Sequence, residues 1–292
     1  MLLLTAWGLR GLPGRLLVGL AFAIDGPHVY STMTRSLFDS SERRRLKLLW
    51  LIGLPICCSI GPILNYTIGW QSFFLIVAGF SHYHISKQHM GFVMIYKRKA
   101  GEREDFKADK YFSLASLILP FLFYLSAVFS GSTTMFPFFI VPAATLAGWY
   151  GAHQLGKKNK NVPKLLLLAG FIPLQWLGWS YAALAPDSLP RLVTVGAILN
   201  IGHSMQYLRL MWFHNHNRYD RHGGLLGVVS RKWIYFLTFA VFLAAIPSML
   251  SHYMKWWILT SGIVGFLFFH FLVDAKIWRV RGDVELARAL RL

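Results

Sequence analysis

Histidines and carboxylates recur in this 292-residue chain near the ends of apolar runs, where a membrane helix would emerge from lipid. Four patches carry them. IDGPHVYST sets Asp25 three residues before His28, and FSHYHISKQHMGF holds His82, His84, Gln88 and His89. NIGHSMQYLRLMWFHNHNRY holds His203, Gln206, Tyr207 and His214, and FFHFLVDAKIWR sets His270 four residues before Asp274. Residues three or four apart share a helix face, so each patch can present its pair to a common interior. Ionisable groups within a membrane are costly and face the bundle interior or a wet cavity. Imidazole and carboxylate without thiolate suit iron, zinc or manganese more than copper(I) or an iron–sulfur cluster. Carboxylates beside metal-bound histidines also fix the ring tautomer. In DGPH, Pro27 removes an amide and crowds the carbonyl of Ala23, which lets Asp25 and His28 both turn inward.

Distance arithmetic limits the picture. On a continuous helix His203 and His214 stand roughly 16 Å apart, and His82 and His89 roughly 10 Å. One principal ligand per helix is therefore expected: His28, one of His82, His84 and His89, then His203 and His270, with His214 available to a second ion. Asp25, Asp274, Gln206 and Tyr207 are the candidate catalytic or orienting groups. Any one of these histidines alone reads more simply as a hydrogen-bonded interfacial residue; the recurrence of the pattern is what points to a metal. His153, His216, His222 and His252 keep that simpler reading. Cys57 and Cys58 are adjacent, so they offer neither a disulfide framework nor a CxxC site and read as small buried thiols.

The elements that must position these groups are membrane helices. Apolar residues make up 55% of the chain and charged residues only 14%, against roughly 25% in soluble domains. Residues 111–156 and 234–253 contain no Asp, Glu, Lys or Arg, and about 20 apolar residues suffice to cross a bilayer. The N-terminal stretch lacks a small-residue cleavage site and reads as a retained first span instead of a signal peptide. Nine windows (eight to nine helices) emerge, at residues 2–24, 46–64, 67–85, 112–131, 134–155, 165–184, 190–212, 233–250 and 256–274. The expected fold is an all-α polytopic membrane helix bundle, one integral membrane domain over residues 1–292, with cytoplasmic loops at 86–110 and 213–232. Of the 30 Lys and Arg, only Arg10, Arg15, Arg191 and Lys255 fall on one face of this arrangement. That asymmetry predicts the N-terminus outside and the C-terminus in the cytoplasm. All histidines except His252 then gather at the cytoplasmic ends. The net charge of +18 belongs to membrane topology, so nucleic acid is not an expected partner.

The ordered patches resemble the Brp/Blh family of membrane dioxygenases, which cleave β-carotene to retinal. The resemblance rests on Pro27-His28, on His82 or His84 in FSHYH, on His203-Ser204, and on His270 with Asp274 in HFLVD. Tyr207 stands where that family has a second histidine after His-Ser. The resemblance implies a helix bundle in a bacterial inner membrane, holding non-haem iron by histidines. The leading expectation is an oxidoreductase: a non-haem iron oxygenase, with one or two ions, acting on a hydrophobic lipid- or isoprenoid-like substrate. The bilayer, dioxygen and an unidentified electron donor would be its partners. A zinc hydrolase or transferase is the alternative metalloenzyme. A His/Asp proton-relay transporter is the non-enzyme alternative, though the polar groups cluster at one end instead of the midplane and no internal repeat is visible. A haem anchor would need facing axial histidines, and the neighbouring carboxylates speak against it. The histidine boxes of fatty-acid desaturases are absent.

Overall fold

The computed structural model describes residues 12–219, 224–250, 256–280 and 283–292. It is all-helical, with no strand among the described residues. In order, the helices are α1 (Leu12–Ser36), α2 (Ser40–Arg45), α3 (Leu54–Ile68), α4 (Trp70–Lys99), α5 (Phe106–Ser130) and α6 (Phe136–Leu155). They continue with α7 (Val162–Ala183), α8 (Leu189–Tyr219), α9 (Leu225–Ser230), α10 (Trp233–Leu250), α11 (Trp256–Ile277) and α12 (Val284–Ala289). A π-helical turn, Leu49–Gly53, leads into α3.

Each of the nine expected spans overlaps a helix among the described residues, the first from Leu12 onward. Among the described residues three are long and apolar enough to cross a membrane: Leu49–Ile68, Phe106–Ser130 and Val162–Ala183. The apolar stretch Trp233–Ala245 is shorter. The helices also outrun the apolar windows. Helix α4 continues to Lys99 and α8 to Tyr219, so much of 86–110 and 213–232, expected as loop, is helical. Basic residues in a last turn complement the helix dipole and support such extensions. Arg10, Lys255, His222 and His252 lie outside the described residues.

The chain packs as two compact units. The first holds Ala78–Asn200 and the described residues before Leu20. Its polar anchor surrounds the loop between α4 and α5. Lys164 is fully buried, with Nζ 2.8 Å from Glu102 Oε1 and 3.1 Å from Asp109 Oδ1. Asp109 also accepts from Lys97 and from the Tyr150 hydroxyl, and Phe112 stacks on Tyr150 at 3.8 Å. Lys157 reaches both Glu102, at 2.7 Å, and Asp105, at 2.8 Å. Burial alone would raise the Glu102 carboxyl, but hydrogen bonds from Lys157, Lys164 and Asn161 outweigh it and hold it down at about 2. Hydrogen bonds from Lys157 and His153 hold Asp105 at about 2 as well.

The second unit holds Leu20–Val77 and Ile201–Leu292. Its core joins Leu208 and Met211 of α8, Phe236 and Ala240 of α10, and Phe269, Val273 and Ile277 of α11. Small residues let its helices approach closely. A Cβ on Gly265 of α11 would lie 2.3 Å from the Cys57 carbonyl oxygen and 2.6 Å from Cys58 Cα, so the α3–α11 crossing requires glycine there. Asp39 caps α2, accepting from the backbone amides of Ser41 at 2.7 Å and Glu42 at 3.1 Å. Outward from this core, Leu51, Ile52, Ile56, Ile60 and Ile63 are exposed, and only 11% of the Leu49–Ile68 window is buried. A contiguous apolar face of that kind marks contact with lipid or another apolar surface.

Candidate metal centre

Three of the expected ligands meet in the second unit. His28 comes from α1, His203 from α8 and His270 from α11. The His28 ring centroid lies 4.9 Å from that of His203 and 4.7 Å from that of His270, both nearly edge-on. All three are at most 2% exposed. One ring nitrogen of His28 and one of His270 lie within 4.8 Å of each other. Nitrogens bound at about 2.1 Å to one ion stand roughly 3–4 Å apart, so the pair is near the required span.

Proton bookkeeping defines the state of His28. Ser204 Oγ donates to Asp25 Oδ1 at 2.9 Å, which uses its single proton. The contacts of His28 Nδ1 with Asp25 Oδ1 at 3.2 Å and with Ser204 Oγ at 3.1 Å are then both served by an N–H on Nδ1. Nε2 is left with its lone pair, buried and without a hydrogen-bond partner among the described residues. A buried acceptor in this condition is rare unless something outside the protein fills it. A carboxylate behind Nδ1 with a bare Nε2 in front is the arrangement that metal-binding histidines adopt. The residues therefore fit a metal ion.

Around His270 the partners differ. Thr32 Oγ1 lies 2.7 Å from His270 Nδ1 and 2.9 Å from the Tyr207 hydroxyl. Tyr207 donates to Asp274 Oδ1 at 2.7 Å and accepts from Trp278 Nε1 at 3.3 Å. Asp274 Oδ2 lies 3.5 Å from His270 Nε2. Tyr207 also packs edge-on against His28 at 4.5 Å. Of the four candidate catalytic or orienting groups, Asp25, Tyr207 and Asp274 thus touch the cluster, while Gln206 takes no part in this network among the described residues. A narrow crevice borders Thr32 and His270, with apolar walls from Val29, Met33, Trp50, Phe266, Phe269 and Val273.

His82, His89 and His214 are placed otherwise. His82 donates from Nε2 to the Leu117 carbonyl at 2.8 Å, and its Nδ1 accepts from Trp179 Nε1 at 3.1 Å. Both nitrogens are engaged by protein, so this ring serves packing. His89 donates from Nδ1 to the Ile85 carbonyl at 2.8 Å and lies 3.6 Å from Phe171. His84 Nε2 accepts from Gln88 Nε2 at 2.8 Å, the i,i+4 pair visible in the sequence. His214 belongs to another neighbourhood of the second unit: Nδ1 donates to Asn215 Oδ1 at 3.0 Å, and the ring faces Trp278 at 5.9 Å. His153 pairs with Asp105 at 3.0 Å, and His216 donates to the Ser230 carbonyl at 3.0 Å, as their simpler reading required. Reasoning from sequence missed Thr32, whose only signal is its position one helical turn after His28, and gave Ser204 no role beyond its place in the His203-Ser204 pair.

Compared with known proteins, the chain matches no family model, no curated protein and no solved structure.

Proposed function

We propose that the second unit houses a non-haem metal centre, best read as iron, of an integral membrane oxidoreductase of the oxygenase class. The observation that carries the proposal is the convergence of three buried imidazoles from three helices, one with a carboxylate on Nδ1 and a bare, buried Nε2. His28, His203 and His270 would hold the ion, and Asp25 and Asp274 would orient or complete the set. The ion would supply activation of dioxygen, as nitrogen and oxygen donors with open positions allow. The chain's own residues do the rest: Asp25 and Ser204 hold the His28 ring, and the walls of Val29, Met33, Phe266 and Phe269 keep water away. The apolar surroundings of the site agree with an apolar substrate, an isoprenoid or other lipid drawn from the bilayer. That substrate class agrees with the resemblance to the carotene-cleaving membrane dioxygenases, as does a cytoplasmic-side site in a bacterial inner membrane. The test is elemental analysis of gently purified protein combined with oxygen uptake in the presence of apolar isoprenoids. Iron near one per chain, lost in His203→Ala and His270→Ala, is expected. Zinc without oxygen uptake would move the protein to the hydrolase or transferase class, and full metal retention in both variants would remove the centre altogether.

A further inference from the structure

We propose that the segment running from α2 through the π-helical turn into α3 is a docking site for an anionic phospholipid. Arg43, Arg44 and Lys47 would hold its negatively charged headgroup, and its acyl chains would lie along the exposed face that begins at Leu48. The proposal does not depend on the metal-centre reading.

The chemistry of the chain changes abruptly at Leu48. Between Ser40 and Lys47 stand four cations, Arg43, Arg44, Arg45 and Lys47, and one acid, Glu42. From Leu48 to Ile68, the end of α3, there is no charged residue. Both parts face outward. All four cations are exposed, and so are Leu48, Leu51, Ile52, Ile56, Ile60 and Ile63, with Leu48 at 72%. Arg44, Leu48, Ile52, Ile56 and Ile60 follow one another at steps of four, which makes neighbours of them on a helical surface. A basic group thus passes directly into an apolar row.

Most of this positive charge is not neutralised by the protein. Arg45 closes on Glu42 at 2.6 Å, which occupies the one acid of α2. Asp39, just before the helix, is engaged by Arg218 at 3.0 Å and by the α2 amides. Arg44 reaches only the Ser40 carbonyl, at 3.3 Å. Arg43 and Lys47 have no ionic or hydrogen-bonding partner among the described residues. Cations placed immediately before a membrane-crossing stretch attract anionic headgroups, each contributing roughly fivefold in affinity. Leu49–Ile68 is such a stretch by length and composition. A zwitterionic lipid would match the apolar row alone, whereas an anionic one matches both parts. Two copies of the chain share one orientation in a membrane, so pairing through this face would set like charges at the same depth.

The test is native mass spectrometry of delipidated, full-length protein in detergent, titrated with phosphatidylglycerol and with phosphatidylcholine of identical chains. Wild-type protein should hold at least one phosphatidylglycerol several-fold more tightly than phosphatidylcholine. Combining Arg43→Gln, Arg44→Gln and Lys47→Gln should weaken that binding by roughly tenfold or more and leave phosphatidylcholine unaffected. The three positions are exposed, so the fold should survive. Should the triple variant fail to fold, Lys47→Gln alone should still cost roughly fivefold. Arg103→Gln with Lys107→Gln, exposed cations of the first unit in a loop that also carries Glu102, Glu104 and Asp105, should leave the tightest site as it was. Equal retention of the two lipids by wild-type protein would overturn the proposal, as would unchanged phosphatidylglycerol affinity in the folded variants. An equal loss in the first-unit control would reduce the effect to bulk charge and overturn it too. Lipid-free protein dimers would overturn it in favour of a second copy on this face.

Discussion

The two units use the same residue types to opposite ends. In the first, His82 has both nitrogens engaged by Leu117 and Trp179, and the carboxylates Glu102 and Asp109 are saturated by lysines. In the second, His28 faces two other imidazoles with its Nε2 bare, and its carboxylate neighbour sits on the far side of the ring. Burial does not separate them, because His82 and His28 are about equally enclosed, at 3% and 2%. What separates these two rings is the use of the second nitrogen. A satisfied polar group stabilises a buried region, while an unsatisfied one costs about 1–3 kcal/mol and persists where something else fills it.

The sharpest way to break the comparison is truncation on each side. His28→Ala, His203→Ala or His270→Ala should lower bound iron by more than roughly tenfold, given that even outer-shell changes cost 10- to 100-fold. His82→Ala should leave the iron in place and lower the thermal midpoint instead, through about 1–3 kcal/mol of orphaned hydrogen bonding at Trp179 and Leu117. Metal analysis and thermal unfolding on the same detergent samples check both. Iron lost equally from His82→Ala would erase the distinction.

A backbone contact offers the next largest effect. Gly265→Ala would set a Cβ 2.3 Å from the Cys57 carbonyl oxygen, forcing α11 away from α3. Helix α11 also carries His270 and Asp274, so the change should lower stability by about 1–3 kcal/mol and weaken metal retention together. Gly170→Ala in α7, where an added Cβ meets nothing within 4 Å, is the control and should change neither.

The candidate centre was legible in outline because helical spacing and apolar runs report where a helix ends and which face it presents. His28, His203 and His270 each stood at such an end, and they meet. The choice among the other histidines was not legible. The role of His82 is set by Leu117, 35 residues away, and by Trp179, 97 residues away. Thr32 was invisible for the same reason: serine and threonine are ordinary in helices, and its partner Tyr207 lies 175 positions along the chain. The ends of α4 and α8 were misread because an apolar window measures the lipid-compatible stretch, and a helix continues past it as long as its backbone bonds are satisfied.

The smallest effect concerns acid, and it belongs to the first unit alone. Glu102 and Asp105 are each held at about 2, below the ordinary carboxylate range, by Lys157 and their other partners. A carboxylate whose folded value is depressed contributes stability above its unfolded value, near 4, and loses that contribution as pH falls towards 2. The first unit should therefore soften between about pH 4.5 and pH 2. Glu102→Gln removes the larger, better-enclosed share: the thermal midpoint at pH 7 should drop, and the remaining slope between pH 5 and pH 3 should flatten. Asp105 is more exposed and its pairs are screened by solvent, so Asp105→Asn should change the slope less. Iron retention should not depend on Glu102→Gln at neutral pH, because the partners of Glu102 are Lys157, Asn161 and Lys164 of its own unit. A Glu102→Gln protein that lost its metal at pH 7 would show that the saturated cluster supports the centre as well as its own loop, and the division of labour between the two units would fail at that point.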